Sequence, residues 1–377
     1  MLFGRDIHSV ADARRLAQRR LPWMIFDYID GSAGDETGAE ANRQALQDIQ
    51  LMPRVLRDVS KRNLSVSLFG KERSRPFGIS PMGMCNLSTP GADLMLARLA
   101  AEYKIPHGVS TVSSTSMEKI YEVSEGQAWF QLYFSGDGSG TMKLLERAKT
   151  IGYQTLILTL DVPEVGRRPR ELRHGFKMPF KIGPSQFIDF AMHPRWSLST
   201  LLAGKPQMAN FDGNDYVFNR TESRASADWA TFERIRKAWP GKLVAKGVLN
   251  PEDARQLKDA GVDAIQVSSH GSRQLNAAPP PILALQKIRQ ELGEGFPLLY
   301  DSGIRSGEDI IKAYAVGADY VFLGRTLLFA LAAGGEKGLR KLFEILSLEV
   351  DVALAQLGAT QISLGEDRNK LGVQFKD

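Results

Sequence analysis

The sequence predicts an α/β chain folded as a (β/α)8 TIM barrel, with an N-terminal helical extension and one long insertion after the fourth barrel strand. Three observations predict it. Eight short β-like runs recur along the 377 residues. Most are followed by stretches whose apolar residues fall at helical spacing, and this alternation points to a parallel sheet covered by helices. Successive runs are separated by similar intervals except once, between the fourth and fifth. Eight units favour closure into a barrel; a doubly wound open sheet is the alternative.

The elements follow in order. Residues 1–75 precede the barrel and include a helix over Val10–Tyr28 punctuated by Pro22. The eight runs are Pro76–Ser80, Pro106–Thr111, Trp129–Phe134, Thr155–Asp161, Lys242–Val248, Ala264–His270, Pro297–Gly303 and Tyr320–Arg325. Helical patterns occupy Leu94–Tyr103, Thr141–Ile151, Pro251–Asp259, Pro281–Glu291 and Gly307–Val316. The barrel is expected over 76–335, the insertion over about 176–225 and a C-terminal helical segment over 336–377, all in one domain. A connection this long between two strands is usually a functional loop. The insertion holds Gln186–Met192 and Trp196–Leu202, two apolar clusters near Lys177, Lys181, Arg195 and Lys205. Apolar clusters among cations suit attachment to an anionic lipid surface; a lid or a subunit contact is the other reading.

Composition narrows the function classes. No apolar run reaches the roughly 18–20 residues that span a bilayer, and the first residues show no signal-peptide core. A cytoplasmic protein is expected, with peripheral contact on the inner face of the plasma membrane as an extension. The single cysteine, Cys85, excludes an intrachain disulfide and a cysteine-based zinc cage. It is expected as a small buried residue, with a catalytic thiol as the alternative. A net charge of +5 favours anionic partners weakly. No nucleic-acid partner is expected, and no cluster has metal-ligand spacing.

The chemistry concentrates in Ser268-Ser269-His270-Gly271-Ser272-Arg273-Gln274-Leu275-Asn276, just past the sixth strand. Barrel enzymes place their sites at this end of the strands. An imidazole takes a proton near neutral pH, and a guanidinium grips a carboxylate through two parallel hydrogen bonds. Together they suit binding and deprotonating an organic acid. Asp161, ending the fourth strand, could orient the imidazole and stabilise its charged form; a loop cap is the plain alternative. Arg167 or Arg168 could meet a carboxylate beside Arg273. Lys246, ending the fifth strand, could stay charged beside an anion or form a Schiff base, which keeps a class I aldolase in play. Asp301-Ser302-Gly303-Ile304-Arg305 and Leu323-Gly324-Arg325 end the seventh and eighth strands. Barrels commonly bind phosphate there. Gly136-Asp137-Gly138-Ser139-Gly140 is glycine-rich in the manner of a dinucleotide loop but equally suits a flexible connection.

These motifs resemble, over nearly the whole chain and in the same order, the FMN-dependent L-2-hydroxy-acid oxidases and dehydrogenases. The usual run Ser-Asn-His-Gly-Gly-Arg-Gln-Leu-Asp appears here with Ser269, Ser272 and Asn276 as departures. The resemblance implies His270 as the base and Asp161 as its carboxylate partner. It implies Arg273, Arg168, Tyr28 and Tyr133 as substrate-binding residues. FMN contacts are implied at Pro81, Met82, Gly83, Ser110, Gln131, Thr159, Lys246 and Ser268. Phosphate contacts are implied at Asp301, Gly303, Arg305, Gly324 and Arg325.

The resemblance also bears on subtype. Gly83 in Pro81-Met82-Gly83 is similar to the respiratory dehydrogenases. The insertion segments His193–Leu198 and Pro206–Phe211 resemble the membrane-associated mandelate and lactate dehydrogenases. Val112 stands where glycolate oxidase carries Trp, which argues against glycolate. The expected activity is oxidation of an L-2-hydroxy acid, L-lactate or a larger or aryl acid, to the 2-oxo acid. A quinone-type acceptor and a homotetramer are expected; an oxidase forming hydrogen peroxide is the nearest alternative.

Overall fold

Strands buried along nearly their whole length form the centre of the molecule. The computed structural model describes residues 6–134, 138–176, 182–211, 224–365, 368 and 371–375. Its central strands are β1 (Phe77–Met82), β2 (His107–Val109), β3 (Ala128–Tyr133), β4 (Thr155–Thr159), β5 (Lys242–Val248), β6 (Ala264–Val267), β7 (Leu298–Tyr300) and β8 (Tyr320–Leu323). Every position of β4, β6 and β8 is buried, as parallel strands covered on both sides require. β8 pairs in parallel with β1 through Val321–Phe77, Phe322–Gly78 and Leu323–Ile79. The sheet therefore closes, and the open-sheet alternative falls.

Several strands stop sooner than their sequence runs. β4 ends at Thr159 and β6 at Val267. Asp161 and His270, expected at strand ends, thus lie on the loops beyond. Between β1 and β2 the register shifts after Ile79–His107. Pro81 has no N–H to give a ladder. Gly108 makes room for it, since a Cβ there would sit 2.6 Å from the Pro81 ring. The shift releases Pro81-Met82-Gly83 toward the barrel mouth.

The N-terminal extension holds three helices: α1 (Val10–Arg20), α2 (Trp23–Asp30) and α3 (Thr37–Gln47). The single helix expected over Val10–Tyr28 is broken at Pro22, which cannot continue the ladder. The Ser9 hydroxyl caps α1 by accepting from the Asp12 amide at 3.1 Å. Around the barrel follow α4 (Ala92–Tyr103), α5 (Met117–Val123) and α6 (Ser139–Ile151). The connection from β4 to β5 carries α7 (Pro169–Arg173) ahead of the insertion, and α8 (Pro184–Met192) and α9 (Pro194–Ala203) within it. The last three were not expected, although each opens on proline, a favoured first helical residue. After them come α10 (Trp229–Ala238), α11 (Pro251–Asp259), α12 (Pro281–Leu292), α13 (Gly307–Val316) and α14 (Arg325–Gln356). α14 kinks at Gly335, where φ is 60°, and packs against α1. Gly136, Asp137, Lys177 and Lys181, singled out above, lie outside the described residues.

Among the described residues no helix is long and apolar enough to cross a membrane. α8 and α9 nonetheless expose Phe187, Ile188, Met192, Leu198, Leu201 and Leu202. They are fastened from beneath. The Asp189 carboxylate accepts from the Trp23 amide at 3.1 Å, at the start of α2. The Trp196 indole donates to the Leu87 carbonyl at 2.7 Å.

Candidate active site

The loop after β6 turns sharply to bring its imidazole inward. His270, Gly271 and Ser272 have φ of 56°, 63° and 59°, a left-handed stretch costly for residues with a Cβ. It is held from outside the loop. The Asn42 amide, on α3, donates to the Ser269 and Ser272 hydroxyls at 2.9 and 2.8 Å. Ser302 accepts from the Gly271 amide at 3.0 Å. Asn276 accepts from the Gly38 amide at 3.0 Å. All three departures from the usual run therefore contact α3.

His270 Nδ1 lies 3.1 Å from Asp161 Oδ1. Asp161 Oδ2 is buried without a hydrogen-bond partner among the described residues. Gly247, with φ of 96°, leaves space for this carboxylate, since a Cβ there would fall 2.4 Å from its carboxyl carbon. Burial lowers the imidazole pKa; Asp161 opposes this, while Lys246 and Arg168 add to it. The net shift is downward, which keeps the ring neutral and able to accept a proton.

His270 faces a cavity of about 220 Å³ at the carboxyl ends of the strands. Tyr28, Tyr133, Arg168 and Arg273 line it, as do Pro81, Met82, Gly83, Lys246, Asp301, Gly303, Arg305, Gly324 and Arg325. Asp161 stands behind His270 rather than in the wall. Ser110, Gln131, Thr159 and Ser268 are also outside the lining. The first three form a buried chain from the residue after β2 across β3 to the end of β4: Ser110 Oγ donates to Gln131 Oε1 at 3.3 Å, and Gln131 Nε2 donates to Thr159 Oγ1 at 3.0 Å. Ser268 accepts from Lys246 Nζ at 2.9 Å and donates to Asp301 at 2.5 Å.

Asp301 gathers further donors, Gln266 at 2.7 Å and Ser80 at 3.1 Å, and Lys246 Nζ lies 3.5 Å from it. Burial raises this carboxyl's pKa, but Lys246 and the hydroxyls outweigh it and hold the group below its usual range. A carboxylate so placed fixes Lys246 and would repel a phosphate. A lysine paired in this way suits a held charge rather than the nucleophilic amine of an aldolase.

Two arginines form the other wall. Arg168 Nη1 and Arg273 Nη2 donate to the same oxygen, Glu171 Oε1, at 3.1 and 2.8 Å. Arg168 Nε also donates to the Arg273 carbonyl at 3.1 Å. Arg273 Nη1 donates to the carbonyls of Tyr28 and Gly31 at 2.8 and 2.7 Å, and its guanidinium lies over the Tyr28 ring. Tyr28 stacks on Phe176 with centroids 4.3 Å apart and donates to the Gly83 carbonyl at 3.3 Å. Tyr133, raised to about 12 chiefly by burial, stays a protonated donor. Sequence reasoning missed Glu171 and Arg224; Arg224 lines the cavity over the Tyr133 ring.

At the far end Arg305 and Arg325 lie close together. Burial pushes Arg305 down to about 10 and Arg325 to about 9, and for Arg325 the nearby Arg305 adds to the shift. Adjacent buried cations favour an anion between them. Among the described residues, Gly324 has only Met82 Sδ near its Cβ direction, at 3.9 Å.

The profile of the family described as FMN-dependent dehydrogenase matches residues 17–368. This chain belongs to that family. It is 38% identical over 367 residues to (S)-mandelate dehydrogenase of Pseudomonas putida, covering 96% of this chain and 93% of the relative. It is 37% identical to L-lactate dehydrogenase of Pseudomonas syringae pv. syringae, covering 94% and 96%. It is also 37% identical to 4-hydroxymandelate oxidase of Amycolatopsis orientalis, covering 97% and 99%. Among solved structures, the monotopic membrane protein (S)-mandelate dehydrogenase superposes with a TM-score of 0.91 at 38% identity, covering 98% of this chain and all of that one.

The family is FMN-dependent, and the cavity fits that cofactor. The Arg305–Arg325 pair with Gly303 and Gly324 suits a phosphate; Lys246 and the Pro81-Met82-Gly83 turn suit a flat ring. Cys85 is not an alternative nucleophile, since burial and then Asp93 push its thiol well up.

Proposed function

We propose that this member of the family oxidises an L-2-hydroxy acid to the 2-oxo acid and passes the electrons to a quinone-type acceptor. One observation carries the reading: an imidazole backed by Asp161 shares a cavity with the Arg168–Arg273 pair. Pro81, Met82, Gly83 and Lys246 would hold the FMN ring, with Ser110, Gln131, Thr159 and Ser268 supporting it from beneath. Arg305, Arg325, Gly303 and Gly324 would hold its phosphate. FMN, when bound, supplies the two-electron acceptor.

The chain's own residues do the rest. Arg168, Arg273 and Tyr28 grip the carboxylate and fix the α-carbon. Tyr133 donates to the substrate from the opposite wall. His270 takes the proton, from the hydroxyl or from the α-carbon, and Asp161 stabilises the imidazolium that forms. Val112, Val162, Val165, Phe176 and Met208 give the wall an apolar stretch. That supports an apolar side chain, from the methyl of L-lactate to an aryl group.

The holoenzyme is expected to be yellow and to bleach anaerobically on adding the right L-acid. Failure to retain FMN after reconstitution overturns the reading. Reoxidation separates the acceptors: fast recovery with quinone supports the proposal. Stoichiometric hydrogen peroxide in air supports the oxidase reading, which the relationship to 4-hydroxymandelate oxidase favours.

The exposed apolar side chains of α8 and α9, and the likeness to a monotopic membrane protein, support peripheral attachment at the inner face of the plasma membrane. Leu201→Asp with Leu202→Asp is expected to abolish sedimentation with anionic vesicles. A homotetramer, implied by the sequence resemblance, is read by light scattering.

A further inference from the structure

We infer that Glu171 sets the charge of the carboxylate grip, making the site selective for a substrate with one negative charge over a dianion. The inference rests on the reading of the cavity as a 2-hydroxy-acid site and names a positioning residue outside the run His270–Arg273.

The geometry is specific. Glu171 is buried, and a single oxygen, Oε1, accepts from Arg168 and from Arg273. Two guanidiniums brought together out of water repel each other, and a buried cation is tolerated when paired. Glu171 meets both needs with one charge. The loop carrying Arg168 is also pressed against the loop carrying Arg273. A Cβ on Gly166 would lie 2.5 Å from the Arg273 carbonyl oxygen, and the Gly166 amide donates to Gln274 Oε1 at 2.8 Å.

Donor counting shows what is left for a ligand. A guanidinium has five N–H groups. Arg273 commits two to the Tyr28 and Gly31 carbonyls and one to Glu171. Two remain without an acceptor among the described residues, enough for the two oxygens of one carboxylate. Loss of the Glu171 charge raises the positive charge of the grip by one, whatever else the three residues touch. A neutral amide at the same place would keep an oxygen for the two arginines but would shift preference toward a doubly charged ligand.

The test is calorimetry on FMN-loaded wild type, Glu171→Gln, Glu171→Asp and Glu171→Ala. The probes are oxalate, a dianion, and 2-hydroxy-2-methylpropanoate, a monoanion without an α-hydrogen. Glu171→Gln is expected to raise the preference for oxalate over the monoanion by tenfold or more, and Glu171→Asp to restore the wild-type ratio. Glu171→Ala, which removes acceptor and charge together, is expected to weaken the monoanion at least tenfold. A merely structural role would weaken both probes together in Glu171→Gln and leave their ratio unchanged, and that result overturns the inference alone. Should Glu171→Gln not fold, an unchanged ratio in Glu171→Ala overturns it equally. Wild type that binds neither probe and oxidises no 2-hydroxy acid overturns the site reading, and the inference with it.

Discussion

Asp161 presents one carboxylate oxygen to Nδ1 of His270 at 3.1 Å and keeps the other buried without a hydrogen-bond partner among the described residues. A desolvated anion with a single partner concentrates its field on that partner. Its effect on the imidazole opposes the larger effect of burial.

Asp161→Asn should therefore move the acid limb of kcat/KM to lower pH. As the proposed base, His270 works when neutral; burial already places its pKa below the ordinary 6.5, and removing the carboxylate lowers it further. The imidazolium formed in turnover also loses its counter-charge, so kcat should fall by roughly 10²–10⁴. A pH profile of wild type and variant checks both; an acid limb that moves upward contradicts the assignment.

Arg325 predicts how cofactor and stability are linked. Burial, with the nearby Arg305 adding to it, pushes it down to about 9, so binding an anion relieves a like-charge contact. Stripping FMN should lower Tm, and millimolar inorganic phosphate should recover part of the loss; at a hundredfold excess over Kd a ligand adds about 2.7 kcal/mol. Arg325→Met should weaken FMN roughly tenfold to a hundredfold, the worth of one charge-assisted hydrogen bond. Fluorescence of released FMN measures this.

Gly166→Ala tests the contact between the two arginine loops. The added methyl would meet the Arg273 carbonyl at 2.5 Å and Gln274 Cα at 2.7 Å, both backbone atoms. Backbone cannot swing aside as a side chain can, so the loops must part. KM for the hydroxy acid should rise about tenfold or more, as misplacement of a binding group by an ångström does, with FMN content unchanged.

His107, on β2, predicts an acid sensitivity unrelated to catalysis. Burial holds its pKa down at about 3, against 6.5 in an unfolded chain. Between these values the unfolded state binds more protons, so stability falls as pH falls. The contribution is fully present above about 6.5 and is lost by up to roughly 1.4 kcal/mol per unit on the way down. His107→Gln should flatten the Tm profile between pH 6.5 and 4.5; an unchanged slope would assign the sensitivity elsewhere.

The barrel was legible in the sequence because each strand is a short, largely buried and mainly apolar run, the strongest local signal a parallel sheet gives. His270, Arg273 and Asp161 were legible because they lie within a few residues of strand ends. Glu171 was not. Three residues beyond Arg168, amid Arg167, Arg170 and Arg173, it reads as part of a solvated charged loop. Its partner Arg273 is 102 residues further on, and only the closed barrel brings them together. Asn42 was hidden in the same way, on a helix the pattern did not suggest. Asp301 carried a phosphate role by resemblance, whereas its surroundings tie it to Lys246.

The tie between Asn42 and the turn around His270 spans 227 and 230 residues of chain. Ribosomes deliver residue 42 early and residue 272 late, so the helix that braces the base must wait, unmatched, through most of translation. Contacts this distant along the chain form slowly. The capacity to turn over substrate thus arrives as one of the final events of biogenesis, and a nascent polypeptide halted short of residue 268 has no competent centre to expose.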